Sequence, residues 1–151
     1  MNRHSFLYGN DLDKAGQQAT RGQRVFCSDR GQRGGCGKTF SIFLAEVLPH
    51  HSCTAVRLGQ LLIKLLAGLS VKSAVESLRL PLALESVYHL LARLRRRLDA
   101  LRPCLCKRQE APASSQSDPL LQTVEHLQKV FAGVVCPVSE FQVTFQQPFL
   151  S

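Results

Sequence analysis

Six apolar residues between positions 84 and 101 repeat at intervals of three, four, three, four and three. They are Leu84, Val87, Leu91, Leu94, Leu98 and Leu101. An α-helix has 3.6 residues per turn, so side chains with this spacing fall on one face and form a continuous apolar stripe. This stripe constrains the fold more than any other feature of the sequence. It predicts a long amphipathic helix that begins at Leu84 and ends at Arg102, before Pro103.

Two shorter helices are predicted before the long one. Thr54 suits the N-cap of the first helix and Gly68 suits its C-terminal stop. Its apolar face is formed by Leu58, Leu61, Leu62, Leu65 and Leu66. Ser70 is the expected N-cap of the second helix, and Pro81 follows the end of that helix. The apolar face of the second helix is formed by Ala74, Val75 and Leu78. Residues 54–106 are therefore predicted to form one three-helix unit.

The sequence before this unit divides into two segments. Residues 1–23 are polar and aperiodic, which predicts a flexible, poorly ordered segment. Residues 24–53 are rich in turn-forming residues, bracketed by the strand-like stretches "RVF" and "TFSIFL". This pattern predicts a small β-ribbon.

The sequence after the three-helix unit divides into a linker and a C-terminal segment. Residues 107–119 are rich in Ala, Ser, Gln and Pro without a period, which predicts a linker. Asp118 and Pro119 then form a suitable N-cap and first turn for a helix within residues 120–151. The apolar face of that helix is formed by Leu120, Val124, Leu127 and Phe131. Beyond it, the alternation of Phe141, Val143 and Phe145 predicts a short strand or a packed tail.

The positive charge of the chain is concentrated in its first 108 residues. There, 18 Lys and Arg stand against 7 Asp and Glu, which leaves a charge of +11. After residue 108, one Lys stands against four acidic residues, which leaves a charge of −3. A small basic unit of this kind favours a polyanionic partner, most often nucleic acid. A solvated surface that is kept soluble by its charge is the simpler alternative.

Three helices, the third of them strongly basic, are typical of a helix-turn-helix DNA-binding unit. The side chains expected to meet base edges are Glu85, Ser86, Tyr88 and His89. The side chains expected to meet phosphates are Arg93, Arg95, Arg96 and Arg97, with Arg30, Arg33 and Lys38 of the ribbon loop adding further contacts. The segment "AVESLRLPLALESVY" resembles the family pattern, except that Arg79 stands where glycine is usual. Duplex DNA is therefore the expected partner.

Two alternatives use the same helices without DNA. In one, the helices form a hairpin whose arginines are only a solvated face. In the other, the chain is a protein-interaction module that uses the Leu84–Leu101 stripe, for instance in a homodimer, or the Leu120–Phe131 stripe. Dimerisation through the long helix and DNA binding are compatible.

Residues 20–102 resemble the N-terminal region of bacterial insertion-sequence transposase-type proteins, in which a zinc ribbon precedes a helix-turn-helix. The most specific part is a ribbon that ends in "CGKTFS" and joins this helix pattern. The resemblance implies that Cys27 and Cys36 are metal ligands, completed by a Cys-x-x-Cys pair upstream. This chain has no cysteine before Cys27, so we expect an incomplete zinc site, either because the true start lies upstream or because the site is degenerate.

His50, His51 and Cys53 are the alternative source of the missing zinc ligands, since tetrahedral zinc requires four. Cys104, Cys106 and Cys136 are expected to be ordinary thiols. The whole is expected to be a mainly α protein with a three-helix helix-turn-helix core, a partial zinc-ribbon-like β element in front and a C-terminal helix. No certain cofactor is expected.

Several classes of protein are not expected from this sequence. No apolar run is long enough to cross a membrane, and the N-terminal residues lack the apolar region of a secretion signal, so we expect a cytoplasmic protein with no membrane partner. A transposase active site needs three acidic residues that hold two metal ions. The available acidic residues lie in segments that do not suggest a nuclease fold, so we expect DNA binding without catalysis.

Overall fold

The structure is a computed structural model that describes residues 2–10, 17–28 and 34–150. Within these residues a small antiparallel sheet is followed by five helices, which confirms a mainly α chain with a β element in front. The strands are β1 (Asn2–Asn10), β2 (Gln18–Phe26) and β3 (Thr39–Phe43). The helices are α1 (Ala55–Leu66), α2 (Val71–Leu78), α3 (Leu84–Cys106), α4 (Pro119–Val130) and α5 (Pro137–Phe145).

The sheet begins much earlier in the chain than the predicted ribbon. Its strand order is β1-β2-β3, and Gln23 of β2 faces Phe6 on one side and Ile42 on the other. The prediction of a poorly ordered segment over residues 1–23 is therefore wrong for the described part of that segment. Apolar alternation marks a strand only when one face is buried, and Phe6 is 55 % exposed.

Close strand pairing explains the glycine in the middle of β2. A Cβ atom at Gly22 would clash with the carbonyl oxygen of Ile42 and lie 2.9 Å from the Cα of Phe43. Glycine is the residue that permits this approach of two backbones.

Helices α1 and α2 begin at the predicted capping residues. Thr54 Oγ1 accepts a hydrogen bond from the amide of Arg57 at 3.2 Å, and Ser70 Oγ accepts one from the amide of Ser73 at 3.2 Å. Gly68 follows the end of α1 with a φ of 89°. Each contact satisfies a backbone group that a helix end would otherwise leave unpaired. The two predicted starts are confirmed.

The apolar stripe of α3 is buried in the chain's own core. Leu94 and Leu101 are fully buried, and of the six stripe residues only Leu84 is exposed, with 36 % of its surface accessible. Helix α2 contacts α1 and α3, and α4 contacts α1 and α3. The stripe is therefore used within one chain, and it offers no open face for the homodimer that the sequence suggested.

Helix α3 continues four residues beyond its predicted end. Proline lacks an amide hydrogen, so Pro103 removes one helical hydrogen bond. The helix nevertheless continues through Cys106, and the amide of Lys107 bonds the carbonyl of Pro103 at 3.2 Å. Leu105 is fully buried. We attribute the extra turn to this burial, which offsets the lost hydrogen bond.

The segment before α4 has no regular structure, as predicted for a linker, but it is bonded along α4. Nε2 of His126 lies 2.8 Å from the carbonyl oxygen of Gln109, and Nε2 of Gln122 donates to the carbonyl of Gln116 at 2.8 Å. The apolar face of α4 is buried in the same core as that of α3. Linker and α4 are therefore part of the helical unit.

The C-terminal segment is helical where a strand was one of two predicted forms. Helix α5 begins at Pro137, and Sγ of Cys136 accepts a hydrogen bond from the amide of Ser139 at 3.4 Å. The other predicted form, a packed tail, describes the residues after α5. Phe149 and Leu150 are buried, and the ring of Phe149 packs edge-on against that of Phe141 with centroids 5.2 Å apart. The strand prediction for this segment is wrong.

Candidate nucleic-acid interface

The first two turns of α3 expose all four side chains that were predicted to meet base edges. Glu85, Ser86, Tyr88 and His89 are exposed. Nε2 of His89 lies 3.7 Å from Oε1 of Glu85, one helical turn away. Glu85 and His89 lie opposite the buried stripe, and Ser86 and Tyr88 lie on either side of them, so the packing of the stripe leaves all four toward solvent.

The turn between α2 and α3 sets the direction in which α3 begins. Arg79 ends α2 in the left-handed conformation, with φ 47° and ψ 45°. The amide of Leu80 then bonds the carbonyl of Val75 at 3.2 Å, and the Leu80 side chain is buried. Arg79 stands where the sequence pattern usually has glycine, and it adopts the conformation that glycine favours.

The arginines of α3 fall into two groups. Arg93 and Arg96 are exposed, and Arg95 is exposed as well but is held by the fold. Arg95 forms an ion pair with Asp118 at 2.8 Å, and Arg97 donates to the carbonyl of Pro148 at 2.8 Å. Successive residues on a helix are about 100° apart, so a run of adjacent arginines cannot point one way. Arg97 was predicted to contact phosphate, but its guanidinium lies against the C-terminal segment, half-buried. Arg97 therefore does not belong to the exposed face of α3.

Arg102, one turn further on, is also held by the fold. Its Nε donates to Oγ1 of Thr123 at 2.9 Å, and its Nη2 donates to the carbonyl of Pro119 at 2.9 Å and to Oε1 of Gln122 at 3.1 Å. The planar guanidinium suits several acceptors at once. The second half of α3 is thus bonded to α4, while the polar face of its first half remains exposed.

A groove lies between the turn at residues 50–53 and the first half of α3. Its polar and charged lining comes from His50, His51, Ser52, Ser86, His89 and Arg93. Nη2 of Arg21, from β2, donates to the carbonyl of His51 at 2.6 Å and so ties the turn to the sheet. His50 has a φ of 64°, a backbone conformation that non-glycine residues rarely adopt. The groove combines three histidines with one arginine.

The groove is electropositive at His51. Burial lowers the pKa of this imidazole, and the nearby charges of Arg93, His50 and Arg21 lower it further. Nε2 of His51 is buried and has no hydrogen-bond partner. Both causes disfavour the protonated ring, so the neutral form is favoured at neutral pH.

Cys27 and Cys36 lie side by side at the end of the sheet. The amide of Cys36 donates to Sγ of Cys27 at 3.4 Å, and the amide of Gly37 donates to the carbonyl of Cys27 at 2.9 Å. The backbone therefore brings the two predicted ligands together across their loop. Lys38 is exposed next to them, while Arg30 and Arg33 lie outside the described residues.

The residues that the structure describes do not form a complete zinc site. No group of three or more His, Cys, Asp or Glu residues gathers in the described part of the chain. His50, His51 and Cys53 line the α3 groove instead of completing the Cys27–Cys36 pair. Burial raises the pKa of Cys53 to about 11, against smaller opposing effects of Arg57 and a backbone hydrogen bond, which makes it a poor thiolate donor. The alternative ligand set is therefore not supported.

Two of the other cysteines, Cys104 and Cys136, form hydrogen bonds within the fold. Sγ of Cys104 accepts from Nε2 of Gln147 at 2.8 Å, and Sγ of Cys136 caps α5. Cys106 is exposed.

Sequence reasoning missed the role of Arg21 and considered the histidine pair only as an alternative source of zinc ligands. Arg21 lies 30 positions before His51, and the groove residues of α3 lie still further along the chain. The only local signal is the consecutive pair His50 and His51, which also suits a metal site. The groove depends on packing between distant segments.

Among the described residues, no helix is both long enough and apolar enough to cross a bilayer. Comparisons with protein-family models, with curated proteins and with solved structures gave no match to this chain.

Proposed function

We propose that the chain binds duplex DNA through the exposed face of the first half of α3. The observation that carries the proposal is a polar stripe formed by Ser86, His89, Arg93 and Arg96, at intervals of three, four and three residues. All four side chains are exposed, and they span about 15 Å of helix. An α-helix with such a face fits the major groove, where polar side chains read base edges and arginines neutralise phosphates.

The arrangement of α1, α2 and α3 supports a helix-turn-helix form of this interaction. The short α2 contacts both of its neighbours, and the turn after Arg79 leads directly to the exposed start of α3. The resemblance of residues 20–102 to the DNA-binding region of transposase-type proteins points the same way. We propose a binding role, with no catalytic step assigned to any residue.

The charge distribution supports a polyanionic partner. The first 108 residues carry a formal charge of +11, and Arg93 and Arg96 contribute two of these charges on the exposed face. Such a field speeds association with DNA and makes the affinity dependent on salt. Lys38, exposed beyond the sheet, is a further candidate for a phosphate contact.

The salt dependence of DNA affinity tests the proposal. Binding of the full chain to a fluorescent duplex is measured by anisotropy between about 50 and 200 mM salt. The double variant Arg93→Ala/Arg96→Ala should reduce the slope of log K against log salt by about 1.8, because each lost phosphate contact accounts for about 0.9.

The matched control is Lys107→Ala/Lys129→Ala, which removes the same charge from exposed positions outside the proposed interface. We expect a slope close to that of the unaltered chain. Equal slopes for the two double variants, or no binding at low salt, would refute the proposal.

Base reading is tested separately from phosphate binding. Selection of bound duplexes from a random pool shows whether the unaltered chain prefers a sequence. Variants Glu85→Ala and Tyr88→Ala should relax a preference at one or two base pairs, by about 1–3 kcal/mol each, with little change in salt slope. An unchanged preference would show that Glu85 and Tyr88 do not read the bases.

A second candidate function is protein interaction, and it needs a different surface from the one predicted. The Leu84–Leu101 and Leu120–Phe131 stripes are largely buried. The sheet, in contrast, exposes Phe6 and Ile42, each 55 % accessible, on one face across Gln23. Exposed apolar side chains on a strand at the edge of a sheet are suited to pairing with another chain.

Sedimentation velocity tests self-association through the sheet, independently of DNA binding. If the sheet mediates self-association, Ile42→Lys should shift the chain to monomer. Val135→Lys, at a fully exposed turn position, is the control and should leave association unchanged. If the unaltered chain sediments as a monomer at high concentration, self-association is excluded.

A further inference from the structure

We infer that the groove between the turn at residues 50–53 and the first half of α3 binds a phosphate group, and that its occupation is linked to proton uptake. If that phosphate belongs to duplex DNA, the inference rests on the proposed function and assigns one backbone contact to it. A free phosphate ester has the same chemistry, and the experiment below separates the two sources.

Both walls of the groove carry groups that attract an anion. Arg93 and His89 come from α3, while His50 and His51 come from the opposing turn. None of the residues that line the groove is acidic. Glu85, which is not part of the lining, lies 3.7 Å from Nε2 of His89, one helical turn away. An oxyanion in this groove would therefore meet several positive or donor groups and no carboxylate in its lining.

The groove is built by specific contacts with the sheet and the loop. Arg21 holds the carbonyl of His51 from β2, and the amide of His51 bonds the carbonyl of Leu48 at 3.1 Å. His50 is held in the left-handed region. Conformations of this kind persist where the surrounding structure enforces them, and they are frequent at binding sites. The histidine wall is thus positioned before any ligand arrives.

The unpartnered Nε2 of His51 links the groove to pH. In the free protein the charges of Arg93, His50 and Arg21 disfavour protonation of this ring, and so does its burial. An anion beside Arg93 offsets those charges, and it needs no direct contact with His51 to do so. The pKa of His51 should therefore rise when the groove is filled, and one proton is taken up on binding.

The sign of the pH effect follows from this shift. Binding is strongest below the pKa of His51 in the free protein, and it weakens as pH rises from that value to the pKa of the complex. Each unit by which the pKa rises on binding corresponds to about a tenfold difference in affinity between low and high pH. His50 and His89 also face the groove, so the pKa of His51 itself has to be followed.

The test is an NMR pH titration of the His51 ring in the full chain, alone and with each of three probes. The probes are a duplex of random sequence, inorganic sulfate and a nucleoside monophosphate. Sulfate is included because it carries no titratable proton at these pH values. We expect the duplex to raise the pKa of His51 and to bind more weakly at pH 7.5 than at pH 6. Arg93→Ala should remove the rise, and Lys107→Ala should preserve it.

The outcomes separate this inference from the proposed function. If the duplex binds but none of the probes moves the pKa of His51, the groove inference fails and the α3 interface stands. If the monophosphate and sulfate raise the pKa and the duplex does not bind, the groove is a site for free phosphate and the DNA proposal fails. If they raise the pKa while the duplex binds without raising it, the groove is a site for free phosphate and the α3 interface stands. If no probe binds, both fail. His51→Gln keeps a polar side chain that cannot be protonated. This variant should show a smaller ratio of duplex affinities between pH 6 and pH 7.5 than the unaltered chain.

Discussion

The carboxylate of Asp118 joins two helices, since it accepts a hydrogen bond from Arg95 of α3 at 2.8 Å and one from the amide of Leu120 at 2.9 Å. One side chain thus caps α4 and fixes its start against α3. Arg95 is thereby engaged within the fold, although its side chain, like that of Arg96, is exposed. The ion pair helps to decide which part of the basic run is open to a partner.

We predict that Asp118→Ala lowers the free energy of unfolding by about 1.5 kcal/mol, through loss of both the cap and the exposed ion pair. Asp118→Asn should cost only about 0.5 kcal/mol, because asparagine is also a good N-cap. Urea unfolding followed by circular dichroism measures both. Equal losses for the two variants would show that the cap contributes nothing beyond the charge.

The advantage of Asp118 over asparagine should depend on pH. Burial opposes ionisation of this carboxyl, but hydrogen bonds from Leu120 and Arg95 and the Arg95 charge outweigh it and lower its pKa. A carboxyl with a lowered pKa in the folded state stabilises the fold when ionised. The difference between the two proteins should therefore be present above pH about 3.9, the value of an unfolded aspartate, and disappear as pH falls through the lowered pKa.

Arg102→Ala should destabilise the chain by about 1–2 kcal/mol without altering the salt slope of DNA binding. Its guanidinium donates to three acceptors along the start of α4, so truncation leaves partly buried polar groups unpaired. Arg102→Lys should restore little, because an ammonium cannot bond all three acceptors in the same planar arrangement. A changed salt slope at full stability would instead assign Arg102 to the DNA interface.

Arg79→Gly should stabilise the fold by about 0.5–1 kcal/mol. The left-handed conformation at this position costs a side chain with a Cβ about 1 kcal/mol or more, and glycine adopts it freely. Arg79→Ala is the control, since it removes the same exposed side chain but keeps the Cβ. Thermal unfolding of the three proteins should place only the glycine variant above the unaltered chain.

Gly22→Ala should weaken the pairing of β2 with β3 by about 2 kcal/mol or more, since the added methyl meets the backbone of Ile42 and Phe43. Amide hydrogen exchange in β3 should accelerate. Gly34→Ala is the matched control, because a Cβ there has open space around it, and its effect should stay within about 0.5 kcal/mol. Similar exchange rates in both variants would contradict the close approach.

The helices of the core could be predicted because their signals are local. The spacing of leucines and the capping residues Thr54, Ser70 and Asp118 set the starts of α1, α2 and α4 within a few residues of sequence. Periodicity also identified the buried face of α3. Neither signal depends on how distant segments meet, which is why both are reliable here.

The errors arise where local patterns were ambiguous or long-range packing decides. The alternation of Phe141, Val143 and Phe145 favoured a strand, but Val138 and Phe141, three residues apart, form the buried face of a helix that begins at Pro137. The described side chains of β1, at positions 5–10, are exposed or only partly buried, and the sequence there carries no clear apolar alternation. The destinations of Arg95 and Arg97 depend on Asp118 and Pro148, which no local pattern brings close.

The burial of Phe149 and Leu150 has a consequence for synthesis. A nascent chain leaves the ribosome from its N-terminus, so the leucine faces of α1 and α3 emerge long before the two residues that pack with them. Until residue 150 is free of the exit tunnel, that part of the helical unit stays open to solvent and to chaperones.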